Sequence, residues 1–173
     1  MTLAFDELKK LQQKKYREQF GYFLAEGEHL VLELEKALHG NPALSSCELL
    51  ITQAWEDRPG VLPQRVLNER QMAQLSDTRT PQGIMALVPI SALGAIGCNT
   101  AQQRAIYLHE IQDPGNLGTI LRTLAWFDGF RCLLGPGSVD PFNPKVVRAS
   151  MGAIFHVPLE QDVSLDDLRA RLR

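Results

Sequence analysis

Leu108-His109-Glu110-Ile111-Gln112-Asp113-Pro114-Gly115-Asn116-Leu117-Gly118-Thr119-Ile120-Leu121-Arg122-Thr123 is the stretch whose reading decides how this chain folds. A short apolar run, Ala105-Ile106-Tyr107-Leu108, leads into it, and Asp-Pro-Gly-Asn then gives a strong turn signal. Leu117, Ile120, Leu121 and Leu124 follow at helical spacing, with Asn116 placed as the N-cap. The order is strand, tight turn, helix, and polar groups gather where the strand ends, the place where open α/β sheets hold ligands. Helical side chains lean toward the N-terminus, so Arg122 is expected to lie inward over Gly118, whose missing side chain leaves a groove toward Asn116. The unpaired N–H groups of a helix start favour an anion. Two readings stay open on these residues alone: a site for a phosphate-bearing or proton-losing substrate, and a capped helix whose arginine forms a solvated ion pair.

Working outward, residues 131–134 read as a buried strand ending in Gly135-Pro136-Gly137, which matches neither a dinucleotide fingerprint nor a P-loop. Asp140-Pro141-Phe142-Asn143-Pro144 is a stiff turn, and residues 145–150 read as a short helix with Lys145 and Arg148 on neighbouring faces. Residues 154–157 read as the next strand, closed by Pro158. Ser164 and Asp167 form a variant capping box before Leu165, Leu168 and Leu172. Upstream, the pattern predicts a helix over 5–19, a strand over 21–25, a helix over 29–38, a strand over 49–52, a helix near 68–75 and a strand over 83–88. This αβαβαβ order implies a small layered α/β domain. The expected organisation is a first domain over 1–90, a linker over 91–103 and a second domain over 104–173.

Composition narrows the class further. With 173 residues and 45% hydrophobic content, the chain supports one medium domain or two small ones. Cys47, Cys98 and Cys132 are odd in number and widely spaced, which points to free thiols in a reducing compartment and to no metal. The four histidines (29, 39, 109 and 156) show no ligand spacing, and His109 reads as a half-exposed strand-end residue. The N-terminus is charged and amphipathic, and no segment has the apolar length to span a bilayer, so a cytoplasmic protein is expected. A net charge of −2 makes no global case for nucleic acid. Locally, Lys9, Lys10, Lys14, Lys15 and Arg17 crowd the first helix beside Tyr16, a stripe that suits a phosphate backbone or an ordinary solvated face.

Asp113-Pro114-Gly115-Asn116-Leu117-Gly118-Thr119-Ile120-Leu121-Arg122-Thr123 resembles the first motif of the SpoU/TrmH branch of the SPOUT RNA methyltransferases. Residues 143–159 (Asn-Pro-Lys-Val-Val-Arg-Ala-Ser-Met-Gly-Ala-Ile-Phe-His-Val-Pro-Leu) resemble the second. Tyr16-Arg17 and Phe23-Leu24-Ala25-Glu26-Gly27 are similar to the substrate-binding domain that precedes the catalytic domain in many members. The resemblance implies an α/β chain: an N-terminal L30e-like RNA-binding domain and the N-terminal part of a SPOUT methyltransferase domain. It also implies methyl transfer from S-adenosylmethionine to a ribose 2′-hydroxyl of rRNA or tRNA, by a homodimer. The resemblance assigns the catalytic positions to Asn116 and Arg122, with Asn116 expected to orient and Arg122 to meet the hydroxyl or its phosphate. Lys14, Arg17, Glu26, Gly118, Lys145, Arg148 and Ser150 are the implied RNA-binding residues.

The family continues through a further strand, a glycine- and glutamate-bearing third motif and a Ser-Leu-Asn segment, which form the trefoil knot and most of the cofactor pocket. None of these occurs in the 173 residues. The resemblance therefore implies that most cofactor-binding residues lie beyond Arg173, the last residue of the sequence. A shortened form of a longer chain, inactive by itself, is the expectation. The alternative is a non-catalytic RNA-binding protein that keeps the RNA-side motifs.

Overall fold

A computed structural model describes residues 3–94 and 104–171. The first half runs α1 (Phe5–Lys10), α2 (Lys14–Phe20), β1 (Tyr22–Glu26), α3 (Glu28–Ala37), β2 (Glu48–Ile51), β3 (Gln64–Val66), α4 (Glu69–Leu75), β4 (Ile84–Pro89) and α5 (Ile90–Leu93). Its four strands form one mixed sheet in the order β1-β4-β2-β3, with β4 antiparallel to both neighbours and β2 parallel to β3. Every residue of β4 is buried, as a central strand covered on both faces must be. One face packs on α3 through Val31 and Leu34, the other on α1 and α4 through Leu8, Met72 and Leu75.

The second half runs β5 (Arg104–Leu108), α6 (Pro114–Phe127), β6 (Phe130–Leu134), α7 (Pro144–Ala149), β7 (Leu159–Glu160) and α8 (Leu165–Arg171). Its strands are parallel in the order β5-β6-β7, with Ile106 opposite Cys132 and Cys132 opposite Leu159. Ser164 and Asp167 do exchange hydrogen bonds at the start of α8.

The structure revises the sequence reading at three elements. The helix over 5–19 is two helices, because Arg17 Nη1 takes the Leu11 carbonyl at 2.6 Å and Gln12 turns away to the Leu75 carbonyl at 2.5 Å. Strand β3 had no legible alternation, since all three of its residues are at least partly exposed. Residues 154–157 form no strand. Ala153–Phe155 is a 3₁₀ turn entered through Gly152 at φ +89°, and pairing with β6 falls on Leu159 and Glu160 instead. The apolar run there is buried for another reason: Ile154 and Phe155 join the core of the first domain.

That last point bears on organisation. Phe142, Val147, Ile154 and Phe155 of the second half lie in one apolar cluster with Phe23, Val31 and Leu34 of the first. The two domains therefore share a core instead of hanging on a tether. The expected linker begins with a turn of helix, α5, whose Ala92 and Leu93 are buried in that same cluster. Most of the remaining linker, with Cys98, lies outside the described residues, as do Leu172 and Arg173.

Candidate functional site

Helix α6 begins one residue after Asp113, whose carboxylate accepts the Asn116 backbone N–H at 2.7 Å, while Pro114 takes the first helical position. The cap is thus Asp113 and not Asn116, which sits inside the first turn with an exposed side chain. Leu117, Gly118, Leu121 and Leu124 form the buried stripe. Arg122, one turn after Gly118 and about 40° around the helix from it, stands exposed at the edge of that stripe, so it is not inward-placed. The groove expected at Gly118 is filled by α7. A Cβ at Gly118 would sit against the Ala149 side chain, 2.7 Å from the Ala149 backbone carbon and 2.9 Å from the Ser150 nitrogen. Only glycine lets these two helices meet.

Arg122 has no ion-pair partner among the described residues. It borders two shallow depressions. One, of about 350 Å³, is lined by Thr119, Arg122, Thr123, Trp126 and Phe127. The other, of about 240 Å³, brings Arg122 beside Ser150, Met151, His156 and, from the first domain, Glu33. Asn116 lies almost two turns earlier, roughly 120° around the helix, and lines neither depression. Beyond Arg122 the helix ends in Trp126 and Phe127, 86% and 70% exposed.

The other predicted site residues divide sharply. Lys14 and Lys145 are exposed, Lys14 paired loosely with Glu18 at 3.5 Å. The ammonium groups of Lys10 and Lys15 each lie 5.6 Å from the centre of the Tyr16 ring. Arg17 does not join this stripe: it is 3% exposed, and its Nε and Nη2 donate to Asp140 Oδ2 at 2.9 and 2.5 Å. A guanidinium so enclosed is withheld from phosphate. Glu26 accepts from the Ser76 and Thr78 hydroxyls at 2.6 and 3.0 Å and from the Asp77 N–H at 3.3 Å, so it organises a loop of its own domain. Arg148 pairs with Asp77 at 3.0 Å. Ser150 is fully buried, its hydroxyl donating to the Val147 carbonyl at 2.7 Å, and it cannot face RNA.

Several residues escaped the sequence reading. Asp140 lies 123 positions from Arg17, a separation that no local pattern carries. Trp126 did carry a signal, since it falls off the Leu117, Leu121, Leu124 stripe. Glu33 receives Lys36 at 2.7 Å and stands 3.7 Å from His156, and the Lys36 bond above all holds its carboxyl below the ordinary 4.5. His156 sits at the end of a turn, not in a strand. His109 stands exposed at the end of β5, its ring stacked on Tyr107. Burial pushes the Cys47 and Cys132 thiols up to about 12. Among the described residues no group of three His, Cys, Asp or Glu is placed to hold a metal ion, and no helix is long and apolar enough to cross a membrane.

A cofactor would sit where β6 ends. There the Cβ space at Gly135 is taken by the Tyr107 hydroxyl, so that glycine serves packing. Two residues beyond Pro136, the Ser138 hydroxyl is buried with no hydrogen-bond partner among the described residues. An orphaned hydroxyl at a strand's carboxyl end fits a polar ligand. Ser138 is thus a candidate cofactor contact that the sequence reading did not name.

Residues 103–173 match the SpoU rRNA Methylase family, and residues 6–86 match the MRM3-like substrate binding domain. The chain is 34% identical over 156 residues to the 23S rRNA (guanosine(2553)-2′-O)-methyltransferase RlmP of Bacillus subtilis, covering 87% of this chain and 58% of that protein. A TrmH-family structure from Porphyromonas gingivalis superposes over 100% of this chain and 68% of its own, with a TM-score of 0.74 and 32% identity. An AdoMet-bound rRNA methyltransferase from Sinorhizobium meliloti matches with a TM-score of 0.71 and 25% identity over 97% of this chain and 64% of its own. The chain spans just under three-fifths of the length of the Bacillus relative.

Proposed function

Because the chain belongs to the SpoU/TrmH family of RNA methylases, we propose that its protein methylates a ribose 2′-hydroxyl of ribosomal RNA with S-adenosylmethionine. The observation that carries this reading is Arg122: a charged, exposed arginine with no protein partner among the described residues, on the helix of the family's first motif. The choice of ribosomal RNA follows the name of the Bacillus relative.

A ribose hydroxyl is a poor nucleophile because it holds its proton tightly. The protein must orient it and stabilise the oxyanion as the proton passes to solvent water. A guanidinium presents donors and no acceptor, so the role of Arg122 is to anchor the adjacent phosphate and to offset charge on that oxygen, not to accept the proton. Asn116, exposed in the first turn of the same helix, orients the approaching strand. Lys14 and Lys145, with Lys10 and Lys15 around Tyr16, supply phosphate contacts away from the reacting atoms. Ser138 would hold S-adenosylmethionine at the end of β6, where the bound cofactor supplies an electrophilic methyl group.

A second copy of the chain would cover Trp126 and Phe127, since two large apolar rings side by side in water mark an interaction surface. Sedimentation velocity reads that homodimer directly. Thiols that are buried and unpaired suit the cytoplasm.

The test is methyl transfer by the protein as its cell makes it, with labelled cofactor and ribosomal RNA, followed by digestion to nucleosides. The label appears on a ribose oxygen, and Arg122→Ala lowers turnover by about 100-fold or more, the usual cost of removing one donor to a developing oxyanion. A label on a base, or near-normal turnover in Arg122→Ala, sinks the reading.

A further inference from the structure

Among the described residues two arginine–carboxylate bridges join the domains, one on α7 and one in the loop before it. Arg17 of α2 holds Asp140, three residues ahead of the α7 N-cap Asn143, and Asp77, in the loop after α4, holds Arg148 on α7 itself. Between them Phe142 stacks on Phe23 of β1 with ring centroids 5.0 Å apart. On its far side α7 presses Ala149 against Gly118 of α6. The substrate-binding domain therefore reaches Arg122 through an unbroken series of contacts: α2 to Asp140, Asp140 to α7, α7 to α6.

We infer that Arg17 and Asp140 are positioning residues for methyl transfer, setting the placement of α7 and thereby of the α6 face that carries Arg122. This rests on the methyltransferase reading above.

The geometry argues against mere glue. A buried ion pair loses in desolvation much of what it gains by attraction, and apolar residues of similar volume often stabilise as well. What the pair offers is direction. Arg17 Nε and Nη2 converge on one carboxylate oxygen while Nη1 donates to the Leu11 carbonyl. The other oxygen, Asp140 Oδ1, accepts the Phe142 backbone N–H at 2.9 Å and so fixes the turn that aims Asn143 and α7. A lysine, with a single point charge, could not satisfy these directions together. The Asp77–Arg148 bridge has the same logic in a wetter setting, and Glu26 holds its loop in place.

The experiment compares Arg17→Met, Asp140→Leu and the double variant in the full protein. Three readouts are taken: urea unfolding, hydrogen exchange of residues 138–149, and steady-state methyl transfer. Each single variant leaves a lone buried charge and loses stability. The double variant removes both charges, and its unfolding midpoint returns toward wild type. Its α7 amides, such as Val147 and Arg148, nonetheless exchange faster than in wild type, while those of β2 and β4 do not. Its kcat stays down by about tenfold to a hundredfold, the scale for a displaced catalytic group, with KM for RNA within about twofold.

Recovery of both exchange protection and kcat in the double variant overturns the inference and leaves the pair a structural contact. Were the wild type to show no methyl transfer, exchange alone would decide: faster exchange confined to residues 138–149 supports positioning, and unchanged or uniform exchange refutes it. If the double variant does not fold, Asp77→Asn on the partly exposed bridge gives the same choice. Faster α7 exchange with lowered kcat supports the series of contacts, and no change in either overturns it.

Discussion

Arg17 and Arg122 each belong to a motif that reads as RNA-facing, yet they end in opposite settings. Arg17 lies in the seam between the domains, 3% exposed, with all three guanidinium nitrogens hydrogen-bonded. Arg122 lies on the outer face of α6 with no partner among the described residues, beside the largely exposed rings of Trp126 and Phe127. In the seam, polar groups meet their own chain's partners and apolar groups meet a shared core. On the α6 face, both kinds of group are left for something else. Residue type alone separates neither case; what separates them is whether an element distant in sequence arrives to complete the contact.

The comparison breaks most readily at the seam. Phe142 is 7% exposed, stacks on Phe23 and belongs to the cluster that spans both domains. Phe142→Ala should cost about 3–5 kcal/mol, the range for a buried phenylalanine that leaves a cavity. Urea denaturation followed by far-UV circular dichroism measures it. A loss below about 1 kcal/mol, the level of a surface substitution, would mean the domains do not share a core.

Gly118 offers the next test, because it lies under the α6 face but faces the seam's helix. Gly118→Ala adds one methyl group against Ala149 and its backbone, where neither helix has a flexible side chain to move aside. Overpacking of this kind costs about 1–3 kcal/mol. The same substitution should lower methyl transfer, since α7 must shift away from the helix bearing Arg122. Unchanged stability with unchanged turnover would separate the two helices mechanically.

How far these regions were legible follows from the same contrast. The β5–turn–α6 unit, the β6 strand and the order of alternating elements in the first domain could be read, because hydrophobic period and turn chemistry are local. The α6 cap was misplaced by three residues, since Asp113 and Asn116 are both good caps and only the fold shows whose side chain meets the first turn. Ile154 and Phe155 read as a strand because burial was visible and its cause was not: they pack on the other domain. Arg17, Glu26, Arg148 and Ser150 read as RNA-facing for the parallel reason, their partners Asp140, Ser76, Asp77 and Val147 being fixed by tertiary structure. Arg122 reads as inward over Gly118 for the same reason: the helix that fills that groove, α7, arrives from about thirty residues downstream and leaves the arginine exposed.

The smallest expected effect lies at Glu33, which touches both regions. It comes from α3 in the first domain, packs over Gly152 and lines the depression that includes Arg122. One carboxylate oxygen takes Lys36 at 2.7 Å; the other stands 3.7 Å from His156, and the electrostatic effect of His29 and His156 adds in the same direction. Together, and against partial desolvation, these hold the folded-state value below the ordinary 4.5. A depressed carboxyl stabilises the fold above the unfolded-state value and loses that contribution as pH falls through the folded one. The native state should therefore weaken below pH 4.5, and Glu33→Gln should flatten that acid limb of the stability profile. The change is small because Lys36 is 68% exposed and water screens the pair. An acid limb of unaltered slope in Glu33→Gln would remove Glu33 from the seam's ionic framework. A change in RNA affinity in its place would assign the carboxylate to the α6 face, where its negative charge beside Arg122 would tune how tightly a phosphate is held.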